Sequence, residues 1–287
     1  MLHFSRKTVT FVLALLMTVA NDVESNSILA VGDSMTEFMG QILESFCMNS
    51  KVKNAGIAGT TAEQWASYAS DEINECGSDS DWNTVYIAVG GNDLLESECT
   101  MTSTELADRM ERAVKNIVTN LAPGASKYVM TGYCMPSQAE DEESGCKDPA
   151  DFSALSDALV ILSADTGNLG LPSNASLEVI DSLTVCGGSA TSFSSEDYFQ
   201  DPIHLNAKGY CEVFSQPSIQ AALTCDAGAG YDCDSLDNAE IPGLDNNCAS
   251  GDGNRSGDNS GGLKMRTSAS STFVYFCVSL IISRTIH

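Results

Sequence analysis

A short apolar run constrains this chain more than any other segment. Residues 27–34 read Ser-Ile-Leu-Ala-Val-Gly-Asp-Ser, and a helical pattern begins directly after them. Four apolar residues between polar ones predict a buried strand, and a strand of an α/β sheet places the next residues at the carboxyl edge, where such sheets bind ligands. Ser34 is therefore a candidate nucleophile. The alternative is that Ser34 only caps the helix that begins near Met35, as serine often does.

Strand and helix patterns alternate along the rest of the chain. Further strands are predicted from residue 52 and at residues 85–89, 128–130 and 177–180. Helices are predicted at residues 35–49 and 62–75, from residue 103 or 104 to 121, at residues 151–164, and from the segment 201–210 to a stop near Pro217. This alternation predicts a central parallel sheet in a three-layer α/β/α arrangement.

The two ends have the composition of processing signals. Residues 1–20 combine Arg6 and Lys7 with an apolar core and a small residue at the expected cleavage point, which predicts a secretory signal peptide. Residues 263–287 place a short apolar tail behind a polar spacer and the small residues 260–262, which predicts a GPI-attachment signal. A weak membrane anchor or a buried terminal helix is the alternative. Between the ends we expect a folded domain over residues 21–225 and an acidic stalk rich in Gly, Asp and Asn over residues 226–262.

The net charge limits the partners of the chain. Lys and Arg number 14 and Asp and Glu number 39, so the net charge is −25. Such an excess of anions argues against binding to nucleic acid or to an anionic membrane surface. We expect membrane contact only through a C-terminal lipid anchor. Four aspartates of the stalk would bind calcium weakly, but their spacing does not match an EF-hand: Asp232, Asp234, Asp237 and Asp245.

The cysteines indicate an oxidising compartment. Of the 11 cysteines one, Cys277, lies in the tail, and the remaining even set behind a signal peptide predicts disulfides. A disulfide between Cys134 and Cys146 would pin an acidic loop at the carboxyl edge of the sheet. No pair of CxxC motifs has zinc-site spacing, so we expect no metal bound by these thiols. The sequons at Asn174 and Asn254 predict N-glycosylation.

His204 is the candidate base for Ser34. The chain has 3 histidines, and His3 and His287 fall in segments that we expect to be removed. Asp201 lies three residues before His204, a spacing that would let its carboxylate orient the imidazole. A histidine that caps a helix and an aspartate that serves only a turn are the alternatives.

Candidate oxyanion donors lie after the second and third predicted strands. Gly59 offers a backbone N–H with no side chain to obstruct a substrate, Asn92 offers a side-chain amide, and Ser34 offers its own backbone N–H. Gly59 and Asn92 taken singly are ordinary turn residues. Their placement after successive strands predicts that they serve one oxyanion hole.

Four segments, in order, resemble the sequence blocks of the SGNH (GDSL-type) hydrolase superfamily. They are Gly32-Asp33-Ser34, the Gly59 turn within residues 54–61, Gly91-Asn92-Asp93 and Asp201-Pro202-Ile203-His204. The resemblance spans about residues 26–222. It implies a flavodoxin-like fold with Ser34 as nucleophile. It also implies that Gly59 and Asn92 are oxyanion donors and that Asp201 and His204 complete a catalytic triad.

These observations predict a secreted or surface-anchored serine esterase that needs no metal or organic cofactor. Ser34 would attack a carboxylic ester, and water activated by His204 would release the acid from the acyl-enzyme. The substrate would be a small-molecule, polysaccharide or lipid ester, such as an acetylated carbohydrate, because a fold does not specify its substrate. The alternatives are a non-catalytic carbohydrate- or lipid-binding surface protein on the same fold and an acidic calcium-binding surface protein.

Overall fold

The computed structural model of the chain describes residues 26–47, 50–68, 82–134, 146, 152–181, 198–200, 203–225 and 233. The predicted signal peptide and C-terminal tail lie outside these residues, and so does the predicted stalk except for Cys233. The four stalk aspartates and the Asn254 sequon are therefore not described. Within the described ranges, no helix combines the length and the apolar character that a membrane crossing requires.

Five parallel strands form the central sheet. They are β1 (Ser27–Gly32), β2 (Lys51–Gly56), β3 (Thr84–Ala88), β4 (Lys127–Thr131) and β5 (Ser176–Ile180). The strands pair in the order β2-β1-β3-β4-β5, and every pair is parallel. All residues of β1 and β3 are buried, as expected of central parallel strands that helices cover on both faces. The predicted parallel sheet is confirmed.

Helices cover the sheet in two layers. The α-helices of the described ranges are α1 (Ser34–Phe46), α2 (Ala62–Trp65), α3 (Gly91–Glu96), α4 (Ser103–Asn116), α5 (Ser153–Ala164), α6 (Ala207–Ser215) and α7 (Pro217–Leu223). A π-helical turn, Ile117–Leu121, continues α4, and a short 3-10 helix, Thr166–Asn168, follows α5. The chain moves from β1 to β2 in one direction and from β3 to β4 in the other, so right-handed crossovers place the connecting helices on opposite faces. α1 packs against α6, whereas α4 packs against α2 and α5. The three-layer α/β/α arrangement is confirmed.

Some helix boundaries differ from the predicted ones. α2 ends at Trp65 rather than near residue 75, although residues 69–75 lie outside the described ranges. α3 was not predicted, because six residues are too few to show a helical period. The predicted final helix corresponds to α6, which ends at Ser215 close to the predicted stop near Pro217. Pro217 begins a further helix, α7, that was not predicted, at a position where proline is favoured.

Three disulfides join described cysteines. They are Cys47–Cys225, Cys99–Cys146 and Cys211–Cys233. The expected bond between Cys134 and Cys146 is wrong, because Cys146 bonds to Cys99 across a Cα–Cα distance of 5.4 Å. Cys134 is also disulfide-bonded, and its partner lies outside the described residues. Disulfides persist in oxidising compartments, so this set indicates an extracellular protein.

The sheet topology creates a crevice between β1 and β3. The connection that leaves β1 runs to β2, whereas the connection that leaves β3 runs to β4 on the other side. Open α/β sheets bind ligands where neighbouring connections diverge in this way. Ser34 comes directly after the end of β1, and Asn92 comes after the end of β3, so both lie at this crevice.

Candidate active site

Ser34 is the first residue of α1. Asp33, and not Ser34, caps this helix, since the Asp33 carboxylate accepts a hydrogen bond from the backbone N–H of Met35 at 3.0 Å. The alternative in which Ser34 serves only as the cap is therefore wrong, and its hydroxyl is available to another partner. The N–H of Ser34 belongs to the N-terminus of a helix of 13 residues, where the partial positive charge favours an anion.

His204 is the partner of the Ser34 hydroxyl. Ser34 Oγ and His204 Nε2 are 2.8 Å apart, although 170 residues separate them in sequence. The ring of Phe38 meets the imidazole edge-on, with 4.8 Å between the ring centroids. Ser34 and His204 are both half-buried, so the pair is sheltered and still reachable from solvent. The structure thus brings the predicted nucleophile and the predicted base together.

A backbone hydrogen bond joins His204 to Gln200. The backbone N–H of Gln200 donates to the carbonyl oxygen of His204 at 2.9 Å. Asn206 caps α6, because its side chain accepts a hydrogen bond from the N–H of Gly209 at 2.9 Å. His204 is therefore not the helix cap that the alternative supposed. Asp201, between Gln200 and His204 in sequence, lies outside the described residues, and its part in a triad stays a prediction.

The candidate oxyanion donors lie after the two strands that flank β1. Gly32 at the end of β1 pairs with Gly56 of β2 and with Ala88 of β3, so the loops after all three strands leave the same edge. Gly59 has a φ of +75°, a conformation that glycine adopts without strain. Among the described residues other than its two chain neighbours, no heavy atom lies within 4 Å of the place where a Cβ on Gly59 would stand. The described part of the chain therefore leaves the space beside this backbone open to a ligand.

Asn92 joins two of these loops. Its Nδ2 donates a hydrogen bond to the carbonyl oxygen of Thr60 at 2.9 Å, next to Gly59. A primary amide carries two N–H groups, so this bond orients the side chain while the amide keeps a second donor. Ser34, Gly59 and Asn92 accordingly lie on adjacent loops at one edge of the sheet.

Glu37 is a buried carboxylate that sequence reasoning missed. It lies on α1 three residues after Ser34, and its Oε2 accepts a hydrogen bond from the N–H of Ala58 at 2.7 Å. Its backbone carbonyl accepts another from Asn54 Nδ2 at 2.8 Å. These bonds tie α1 to the loop that carries Gly59. An acidic residue in the first turn of a helix is usually exposed, so the sequence pattern held no signal for this role.

Asp33 and Tyr133 form a buried pair next to Ser34. The Tyr133 hydroxyl donates to Asp33 Oδ2, and both side chains are buried. Burial raises the pKa of Asp33 to about 7, against the lowering effects of the Tyr133 and Met35 hydrogen bonds and of the His204 charge. Burial, and then the charge of Asp33, hold the pKa of Tyr133 well above its ordinary value. Tyr133 therefore remains a hydrogen-bond donor at neutral pH. Sequence reasoning missed this residue too.

Asp93 is a second buried aspartate at the crevice, directly after Asn92. Its Oδ2 accepts a hydrogen bond from the N–H of Ala62 at 2.6 Å, and Arg109 Nη1 lies 3.2 Å from its Oδ1. These contacts connect α3 to the start of α2 and to α4. They hold the loop that presents Asn92.

The sheet is parallel in the order β2-β1-β3-β4-β5, Ser34 follows β1, and His204 is hydrogen-bonded to it. This arrangement agrees with the fold and the serine–histidine pair that the resemblance of the sequence blocks to the SGNH hydrolases implies.

Solved structures are similar to this chain at low sequence identity. A protein from Streptococcus pneumonia, provisionally assigned as a platelet activating factor, is 13% identical, with 77% of this chain and 100% of that chain covered at a TM-score of 0.50. A GDSL-like lipase from Bacteroides thetaiotaomicron is 16% identical, with 74% and 97% covered at a TM-score of 0.46. A carbohydrate esterase family 3 structure from Talaromyces cellulolyticus is 14% identical, with 69% and 98% covered at a TM-score of 0.44.

The likeness to the first of these structures shows the fold alone, because its identity to this chain is 13%. No protein-family model and no curated protein matches the chain.

Proposed function

We propose that this protein is a serine hydrolase of carboxylic esters. The observation that carries the proposal is the hydrogen bond of 2.8 Å between Ser34 Oγ and His204 Nε2 at the carboxyl edge of the sheet. A serine hydroxyl becomes a nucleophile when a positioned base removes its proton, and this distance lies within the range that proton transfer requires.

The proposed reaction begins when Ser34 Oγ attacks the ester carbonyl and His204 Nε2 accepts the hydroxyl proton. The carbonyl oxygen becomes an oxyanion, which the N–H groups of Ser34 and Gly59 and the amide of Asn92 would stabilise. Each such donor contributes about 3–4 kcal/mol to the transition state. His204 then gives its proton to the leaving alcohol, and an acyl-enzyme forms on Ser34.

Water completes the cycle. His204 takes a proton from the water, the hydroxide attacks the acyl carbonyl, and Ser34 leaves with the proton that His204 returns. Asp201 would orient the imidazole and stabilise its charged form during both steps. The spacing of three residues between Asp201 and His204 supports this role.

For the substrate and the location we propose an extracellular protein that acts on acetylated carbohydrates or on lipid esters. The disulfides support the location, and Asn174 of the first sequon is exposed before β5. A C-terminal lipid anchor would hold the enzyme at the cell surface. Release by a phosphatidylinositol-specific phospholipase tests the anchor, and mass spectrometry that finds His287 on the mature chain would refute it.

The experiment that tests the hydrolase measures turnover of p-nitrophenyl acetate and labelling by a fluorophosphonate probe. Ser34→Ala should abolish labelling and lower kcat by roughly 10³-fold or more. Ser163→Ala, which removes an exposed hydroxyl on α5, is the matched control and should change neither.

Two results would contradict the proposal. Labelling that persists in Ser34→Ala would place the nucleophile elsewhere. A wild-type protein that neither labels nor turns over any ester in a panel of acetylated carbohydrates and lipid esters would favour the non-catalytic binding protein. The same panel identifies the substrate class if the enzyme is active.

A further inference from the structure

Tyr133 lies at the carboxyl edge of the sheet, next to the crevice between β1 and β3. It lies two residues after the end of β4, and its side chain is buried. Its neighbour Cys134 is buried and disulfide-bonded, which limits movement of the chain at this point. The reaction proposed above assigns no step to Tyr133.

Tyr133 contacts two different loops. Its hydroxyl donates to Asp33 Oδ2, and its ring lies against the backbone of Gly91, the first residue of α3. One side chain therefore holds a buried carboxylate and packs on the start of a helix at once.

These two contact residues stand directly before the two groups that the proposed reaction needs. Asp33 precedes Ser34, and Gly91 precedes Asn92. Asp33 is itself fixed to α1, because its other oxygen accepts the N–H of Met35 at 3.0 Å. A shift of the Tyr133 side chain would therefore be transmitted to Ser34 and to Asn92.

The Tyr133 ring packs closely on Gly91. A Cβ at position 91 would lie 2.3 Å from Tyr133 Cε2, a distance that non-bonded carbon atoms do not reach. The absence of a side chain at Gly91 lets the ring approach the backbone of the loop from β3. Tyr133 thus joins the two loops through a hydrogen bond to Asp33 and a close packing of its ring against Gly91.

We infer that Tyr133 is a positioning residue that sets the separation between Ser34 and Asn92. This inference rests on the proposed esterase function. An oxyanion is stabilised only if the Ser34 N–H and the Asn92 amide both lie about 2.7–3.1 Å from the same oxygen. A misplacement of about 1 Å costs on the order of 100-fold in rate, so the bridge between the two loops matters for kcat. It contributes little to substrate binding, because the Tyr133 hydroxyl is used by Asp33 and the ring packs on Gly91.

The test compares Tyr133→Phe with Tyr128→Phe. Tyr128 is a fully buried tyrosine on β4 whose hydroxyl donates to the carbonyl oxygen of Ala122 at 2.7 Å, at the opposite end of the strand. Each variant removes one buried hydroxyl and one donated hydrogen bond, so the two should lose similar thermal stability. We expect Tyr133→Phe to lower kcat by about 10- to 100-fold with KM changed less than about 3-fold. Tyr128→Phe should leave both constants within about 2-fold of wild type.

Amide hydrogen exchange supplies a readout that does not depend on turnover. The Met35 N–H, which donates to the Asp33 carboxylate, should exchange faster in Tyr133→Phe than in wild type, and its rate should not change in Tyr128→Phe. Unchanged exchange at Met35 in Tyr133→Phe would overturn the bridge.

The failure of this inference differs from the failure of the proposed function. An active wild-type enzyme whose Tyr133→Phe variant keeps kcat within about 2-fold overturns the positioning role alone. A wild-type protein without ester turnover and without labelling at Ser34 overturns the esterase and the positioning role together, whatever the exchange rates show.

Discussion

Two buried aspartates stand at the crevice between β1 and β3, and the protein holds them in different ways. Asp33 is 1% exposed and Asp93 is 0% exposed. The Asp33 carboxylate receives hydrogen bonds from an amide and a tyrosine hydroxyl. The Asp93 carboxylate receives an amide N–H and the guanidinium of Arg109. Asp33, next to Ser34, thus has neutral donors, and Asp93, next to Asn92, has a cation.

Because their hydrogen-bond partners differ, the two buried carboxylates have different roles. A guanidinium offsets the cost of burying a charge, so the Asp93 region acts as a fixed support between α2, α3 and α4. Two neutral donors offset less of that cost, and burial raises the pKa of Asp33 to about 7. The charge of Asp33, which lies beside Ser34, therefore changes near neutral pH. His204 is close enough to interact with that charge.

The largest effect at constant pH is expected at the fixed support. Asp93→Ala should lower the free energy of unfolding by about 3 kcal/mol, because it leaves the Ala62 N–H and the Arg109 guanidinium without their acceptor. Urea unfolding measures the loss. Asp108→Ala, which removes an exposed carboxylate from the same α4, is the control and should stay within about 0.5 kcal/mol of wild type. If Asp93→Ala lowered the free energy of unfolding no more than Asp108→Ala does, Asp93 would not stabilise the contacts between α2, α3 and α4.

A pH-dependent effect is expected at Asp33. Its pKa is about 7 in the folded protein against an ordinary value of 3.8, so between these values the folded state keeps a proton that the unfolded state has released. The stability that this group contributes is therefore present below about pH 4 and is lost as the pH rises to about 7.

Asp33→Asn tests that dependence with a neutral side chain of the same shape. The variant lacks the titrating group, so its stability relative to wild type should rise with pH between about 4 and 7, by at most about 1.4 kcal/mol for each pH unit. Urea unfolding at four pH values across this range measures the difference. If the difference in stability between Asp33→Asn and wild type stays constant with pH, Asp33 does not titrate in this range. The contrast between Asp33 and Asp93 would then disappear.

The smallest effect is expected when only the cation is removed. The Arg109 side chain is 35% exposed, so solvent already screens part of its interaction with Asp93. Arg109→Met should therefore lower the free energy of unfolding by only about 1–2 kcal/mol. Arg112→Met removes a cation whose ion pair with Glu63 is exposed on both sides, and it should cost less than about 0.5 kcal/mol. Thermal unfolding of the two variants side by side would reveal whether the guanidinium of Arg109 holds Asp93 at all.

Local patterns were enough to predict the sheet and the two residues that meet at its edge. Apolar runs such as 28–31 and 85–89 recur between helical segments, and burial of those runs leaves a parallel sheet as the stable arrangement. Ser34 was predicted from its place after such a run. His204 was predicted because the other two histidines lie in terminal segments. Both predictions rest on information that is present in one stretch of chain or in a residue count.

Tertiary structure alone decided the contacts behind the site. Cys146 pairs with Cys99, since pairing depends on which sulfur atoms come within reach after folding, and spacing in sequence does not encode that. Tyr133 touches Asp33 and Gly91 because β1, β3 and β4 lie side by side and their ends meet at one edge. The raised pKa of Asp33 likewise arises from burial by segments that are distant in sequence. Periodicity reports which face of a strand or helix is apolar, whereas these contacts depend on distances between strands that only the folded sheet sets.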